Sequence, residues 1–152
     1  MTRPIVIGVG NRFRRDDGLG LEVAERLDGA VAGCDVALAD GEPARLMELW
    51  RDRPLAVVVD AMRSGAGAGT VTRLELGLDE LPARSARASS HAVGVTEAAA
   101  LGRAVACLPG RLVLFGVEAA ALGDGEGLSA PVAAALNGVV ARIREEVLGR
   151  CV

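Results

Sequence analysis

The sequence predicts an α/β fold, an open sheet with helices on both faces. Short apolar runs alternate along the chain with segments of helical periodicity. The strongest run, "PLAVVVDA" (54–61), is apolar on both faces until Asp60, the pattern of a central strand in a parallel sheet. No repeat, linker or change of composition marks a second unit, and 152 residues is a common size for one domain, so residues 1–152 are read as a single domain.

The first element, "PIVIGVG" (4–10), is a β-branched strand closed by glycines. A helix follows, with Leu19, Val23 and Leu27 on one face and Asp28-Gly29 at its end. "CDVALAD" (34–40) is a second strand and Pro43 opens a second helix, reaching to about Arg51. After the central strand, "TVTRLEL" (70–76) alternates as a half-exposed edge strand does. The spacing predicts loop over 77–90, an alanine-rich helix over 93–106 and a buried strand over 111–117. Ser129 is an N-cap candidate for a last helix with Pro131 in its first turn and a stripe of Val132, Leu136, Val139, Val140, Ile143 and Val147.

Composition narrows the function classes. All 17 basic residues are arginine, scattered through a chain of net charge −3, and the aromatics are two Phe and one Trp. Neither a basic stripe nor a stacking platform for nucleic acid is present. No apolar run approaches the roughly 20 residues of a membrane span, and the start reads as a strand rather than an export signal. Cys34, Cys107 and Cys151 are odd in number and widely spaced, which suits a reducing cytoplasm better than a disulfide framework.

The opening stretch "IGVGNRFRRDDGLGLEV" (6–22) has the strand–glycine–helix outline of a nucleotide loop. It lacks the third glycine, where Phe13 stands, and the lysine of a P-loop. Its consecutive Asp16 and Asp17 would repel a phosphate and suit a cation. Ligands in open α/β sheets bind beyond the carboxyl ends of the strands. That rule selects Asp16 and Asp17 after the first strand, Asp40 at the end of the second, Asp60 at the end of the third and His91 in the loop that opens the helix 93–106. Asp17, Asp60 and His91 make two carboxylates and one imidazole, a donor set for zinc, nickel or cadmium. The helix N-terminus beside His91, the only histidine, favours a neutral, metal-competent imidazole. Each has a structural alternative: Asp16 or Asp17 as a helix cap, Asp60 as an acceptor for strand-end amides, His91 as a surface residue.

Over almost its whole length the chain resembles the hydrogenase maturation endopeptidases, which trim a C-terminal extension from the large-subunit precursor of nickel-iron hydrogenases. "GVGNRFRRDDGLG" (8–20), "VVVDA" (57–61) and "SSHAVG" (89–94) carry the resemblance, with "GTV" (69–71), "LFGVE" (114–118) and "GLSAPV" (127–132) as weaker matches. The resemblance implies a three-layer, mostly parallel twisted sheet of about five strands, and places the family's metal-binding positions on Asp17, Asp60 and His91. It implies a cytoplasmic, aspartic-type endopeptidase, a monomer or weak oligomer, with no permanent cofactor. Its three ligands, also its catalytic candidates, grip nickel already carried by the precursor, a place another divalent ion can take in crystals. Asp17 or Asp60 serves as a general base through water or as a ligand alone. The loop thought to recognise substrate falls on Asp40 and Gly41, with Glu42 where the family usually has a second glycine. The alternative is a precursor- or metal-binding maturation chaperone without proteolysis.

Overall fold

The structure, a computed structural model, describes residues 2–76 and 90–149, with the side chains of 90–94 and 96 outside that description. Five strands, β1 (Ile5–Val9), β2 (Asp35–Ala39), β3 (Leu55–Met62), β4 (Val71–Leu76) and β5 (Arg111–Glu118), form one sheet in the order β2-β1-β3-β5-β4. All pairings are parallel except β4 with β5. Central β1 and β3 are buried throughout, whereas edge strands β2 and β4 are mostly half-exposed. The mostly parallel, five-stranded α/β sheet expected from the sequence is therefore the fold observed.

Alternation along β3 distributes the core to two faces. Leu55, Val57 and Val59 meet Leu19, Val23 and Leu27 of α1 (Leu19–Leu27) and Val132, Leu136, Val139 and Ile143 of α4 (Ala130–Leu148). Ala56 and Val58 meet Leu46 and Trp50 of α2 (Pro43–Trp50) and Val95 and Ala98 of α3 (Ser90–Ala104). Asp60, in register with Val58, belongs to the face covered by α2 and α3.

The glycines of the opening stretch have a packing role. A Cβ on Gly20 would lie 2.4 Å from both the Val9 and Val59 carbonyl oxygens, and one on Gly8 would lie 2.2 Å from the Gly20 carbonyl oxygen. Only residues without side chains let α1 approach the sheet so closely.

Three local readings differ from the sequence expectation. A 3-10 turn, Arg15–Gly18, precedes α1, whose N-cap is Gly18 with no side-chain hydrogen bond, so neither aspartate caps that helix. Helix α3 begins at Ser90 and ends at Ala104, which puts His91 in its first turn rather than in the preceding loop. Helical signals are weak here, because Ser, His and Gly are poor helix formers and alanine supplies little apolar contrast. Cys34, expected as the first residue of the second strand, precedes β2, and Cys107 lies between α3 and β5. The loop expected over 77–90 lies outside the described residues except for Ser90, as does Cys151. Among the described residues no helix is long and apolar enough to cross a membrane.

Candidate active site

The carboxyl ends of β1, β3 and β5 form a mouth, and the chain leaving β1 folds tightly across it. Asn11 N–H donates to the Asp17 carbonyl oxygen at 3.1 Å and Asp17 N–H to the Arg14 carbonyl oxygen at 3.1 Å. Gly10 has φ +153°, and a Cβ there would stand 1.9 Å from the Asp17 carbonyl oxygen. This close approach requires glycine and holds Asp17 against the sheet, 1 % exposed.

Register brings Asp60 to the same place. Gly8 of β1 pairs with Val59 of β3, so Asp60 stands level with Val9, the last residue of β1, while Gly116 of β5 flanks it on the other side. Asp60 is 3 % exposed, and the 3-10 turn that carries Asp17 packs on β3. Because β1 and β3 are neighbours, the turn after β1 and the end of β3 lie at the same edge of the sheet.

His91 lies in the first turn of α3. The C-terminal end of α3 is tied to the opposite edge of the sheet, the foot: the Trp50 indole N–H donates to the Cys107 carbonyl oxygen at 2.9 Å and Gly110 N–H to the Arg53 carbonyl oxygen at 2.8 Å. A helix of 15 residues spans about 22 Å. The first turn of α3, with His91, therefore starts at the mouth, on the face of the sheet to which Asp60 belongs. The imidazole is not among the described side chains, and among those that are, no three His, Cys, Asp or Glu groups make a metal-binding cluster. Cys34 and Cys107 adjoin the foot, where β2 and β5 begin, so neither thiol is placed to act at the mouth. Burial, the largest influence on the Cys34 thiol, pushes its pKa up and Asp35 adds to this.

Asp16 has a different task from its neighbour. Its Oδ2 accepts from Ala120 N–H, Ala121 N–H and the Ser129 hydroxyl, each at 2.8 Å, and its Oδ1 from Ser129 N–H at 2.7 Å. Burial pushes this carboxyl up, but the bonds from Ser129, Ala121 and Ala120 together outweigh it and hold the pKa below the ordinary value. Asp16 thus clasps the β5–α4 loop to the opening turn. Ser129 is the N-cap of α4, as expected, yet its hydroxyl serves Asp16 instead of capping.

The Asp40 loop borders this region. Asp40 Oδ1 accepts from Glu42 N–H at 3.1 Å, and Gly41 turns with φ +95°. Glu42, the departure from the family pattern, caps α2 by accepting from Ala44 N–H at 3.1 Å and Arg45 N–H at 3.0 Å. An open groove of about 400 Å³ lined by Gly10, Leu21, Leu38, Ala39, Asp40 and Arg45 joins this loop to the turn carrying Asp17. Sequence reasoning passed over Glu118 as a site-shaping residue. Buried at the end of β5, it accepts from Ser64 N–H at 2.8 Å and the Ser64 hydroxyl at 2.7 Å and so pins the turn after β3. The acidic end of "LFGVE" was its only signal.

The hydrogenase maturation protease family (HycI) matches residues 21–146. The chain belongs to this family. A hydrogenase expression/formation protein, HupD of Thiocapsa roseopersicina, is 32% identical, the match covering 93% of this chain and 72% of HupD. The hydrogenase maturating endopeptidase HybD of E. coli superposes with a TM-score of 0.76 at 26% identity, covering 95% of this chain and 94% of HybD. A hydrogenase 2 maturation peptidase from Thaumarchaeota archaeon SCGC_AB-539-E09 superposes with a TM-score of 0.70 at 28% identity, covering 97% and 99% of the two chains. Family membership supports an endopeptidase role in hydrogenase maturation, and the match begins downstream of Asp17, so that residue rests on its own geometry.

Proposed function

We propose that this chain is a cytoplasmic endopeptidase that removes the C-terminal extension of a nickel-iron hydrogenase large-subunit precursor after nickel insertion. One observation carries the reading: in a member of this family, two carboxylates are buried at one edge of the sheet, Asp17 in the turn after β1 and Asp60 in the adjacent β3, and the only histidine lies in the first turn of the helix that covers the Asp60 face. Carboxylate oxygens and an imidazole nitrogen suit a divalent nickel ion. In this proposal the ion arrives with the precursor and no metal is resident, so cleavage reports that the precursor is loaded. Asp17, Asp60 and His91 would hold the nickel as a recognition element, and the ion would supply a Lewis acid for the scissile carbonyl or the attacking water. A carboxylate of the pair accepts a proton from the attacking water, which the leaving amine then takes up. Asp40, on the groove shared with Gly10, and the Gly41 turn beside it hold the segment that leads to the scissile bond.

The test is mass spectrometry of a nickel-loaded cognate precursor after incubation with wild type or His91→Ala. Wild type shortens the precursor by its extension, the variant leaves it at full length, and nickel-free precursor resists both. Full-length loaded precursor in the presence of wild type would leave the chaperone reading. Shortening by the variant at the wild-type rate removes His91 from the mechanism.

A further inference from the structure

Phe13 is the feature of the mouth that the chemistry does not use. Of the three aromatic residues in the chain, Trp50 and Phe115 are fully buried, whereas Phe13 is 63% exposed. Its exposure is not that of a loose loop. Phe13 N–H donates to Asn11 Oδ1 at 2.9 Å, its carbonyl accepts from Gly125 N–H at 2.9 Å, and Arg15 N–H donates to the Gly125 carbonyl oxygen at 3.0 Å. Arg15 adopts φ +53°, unusual for a side-chain-bearing residue, and is held there by these bonds and by its own Nε on the Gly127 carbonyl oxygen at 3.2 Å. The backbone therefore presents an apolar ring to solvent in one orientation, and rigid exposed aromatics are the usual anchors of protein interfaces.

Charge specifies the partner. Arg12 and Arg14 flank the ring in a chain of net charge −3. Among the described residues Arg12 pairs with Glu25, both side chains about half exposed, a contact that a partner carboxylate can replace at small cost. A second copy of this chain fits badly, because a two-fold interface would set the same arginines against each other. A partner that delivers a peptide to Asp17 must pass the ring, which lies four residues upstream in the same turn.

We infer that Phe13, flanked by Arg12 and Arg14, is the docking anchor for the folded body of the substrate protein, entering an apolar pocket rimmed by carboxylates while the scissile segment lies at Asp17 and Asp60. This inference rests on the proposed protease function and adds the surface by which the substrate is held. The experiment measures binding to immobilised nickel-loaded precursor and, separately, its shortening. Phe13→Ala weakens binding and raises KM about 30-fold while kcat stays within about two-fold, and Phe13→Leu recovers most of the affinity. The double variant Arg12→Ala/Arg14→Ala slows association and flattens its salt dependence. The Phe13 variants keep the wild-type thermal midpoint, since that ring is solvent-facing. Cleavage by wild type with unchanged KM and binding in Phe13→Ala overturns the docking inference and leaves the protease reading standing. Phe13-dependent binding without cleavage by wild type does the reverse. Absence of binding by wild type, Phe13-dependent self-association or Phe13-dependent attachment to anionic phosphatidylglycerol vesicles in place of precursor binding each overturns the docking inference.

Discussion

The two edges of the sheet handle their carboxylates in opposite ways. At the foot, arginines do it: Asp35 is held by Arg3 and Arg53, and Glu75 and Glu146 by Arg73 and Arg111, in a network joining β4, β5 and α4. At the mouth, Asp16 and Glu118 are held by backbone amides and serine hydroxyls. Arginines neutralise the carboxylates they bind, whereas neutral donors bind without adding positive charge. Among the described residues, Asp16 and Glu118 are therefore held at the mouth without an arginine partner, whereas the foot clamps its carboxylates with guanidinium groups. The cationic Arg12 and Arg14 lie outside these contacts, on the turn that faces a partner.

Acid should show the largest effect, because it reaches both edges. In Asp16 and in Glu146 burial raises the pKa, but the hydrogen bonds received, with arginine charges added in Glu146, lower it further. A folded-state pKa below the unfolded value of about 4 means that the folded chain binds fewer protons. Stability is then complete above about pH 5 and is lost as the pH falls through 4 toward the folded values. The thermal midpoint should hold between pH 5 and 7 and fall by on the order of 15 °C by pH 3. A midpoint that rises on acidification would contradict both halves of the comparison.

The contrast between Asp16 and Asp17 also shows how far the residues alone lead. Period-two burial, the apolar run ending at Asp60 and the order of elements reveal the sheet, because a strand buried on both faces permits few polar residues. The identity of the ligand edge follows from topology once β1 and β3 are neighbours. Which member of an Asp-Asp pair serves structure is invisible, since the answer lies at Ala120, Ala121 and Ser129, more than 100 residues away. The start of α3 is hidden for a local reason, a sequence of weak helix formers around His91.

Removing the clasp tests the mouth directly. Asp16→Ala leaves buried donors from Ala120, Ala121 and Ser129 without their acceptor, at a cost of about 3 kcal/mol and roughly 9 °C in midpoint. Differential scanning calorimetry gives both numbers. Because the clasped loop is hydrogen-bonded through Gly125 to the turn bearing Phe13, the variant should also weaken precursor binding, whereas a foot variant of equal instability should not.

The smallest effect belongs to the foot. Arg73→Met keeps the aliphatic stem but removes the guanidinium that donates to Glu146 at 2.7 Å and to Glu75 at 3.1 Å. Arg111 still reaches Glu75 at 2.8 Å and Glu146 at 3.1 Å, so neither carboxylate is abandoned and the network loses only part of its attraction. The buried end of the Arg73 pair carries the cost, because Glu146 is 4 % exposed and exchanges a close hydrogen bond for a thioether. A loss of about 1 kcal/mol, roughly 3 °C, is expected at low ionic strength. Raising the salt to about 1 M, where the screening length shrinks to roughly 3 Å, should lower the wild-type midpoint slightly and narrow the gap between wild type and variant, since the exposed arms of the network are screened in both. Asp16→Ala should show no such narrowing, because its lost bonds come from neutral donors buried at the mouth. If Arg73→Met costs more than Asp16→Ala, or if salt erases the Asp16→Ala deficit and spares that of Arg73→Met, the two edges have been assigned the wrong way round.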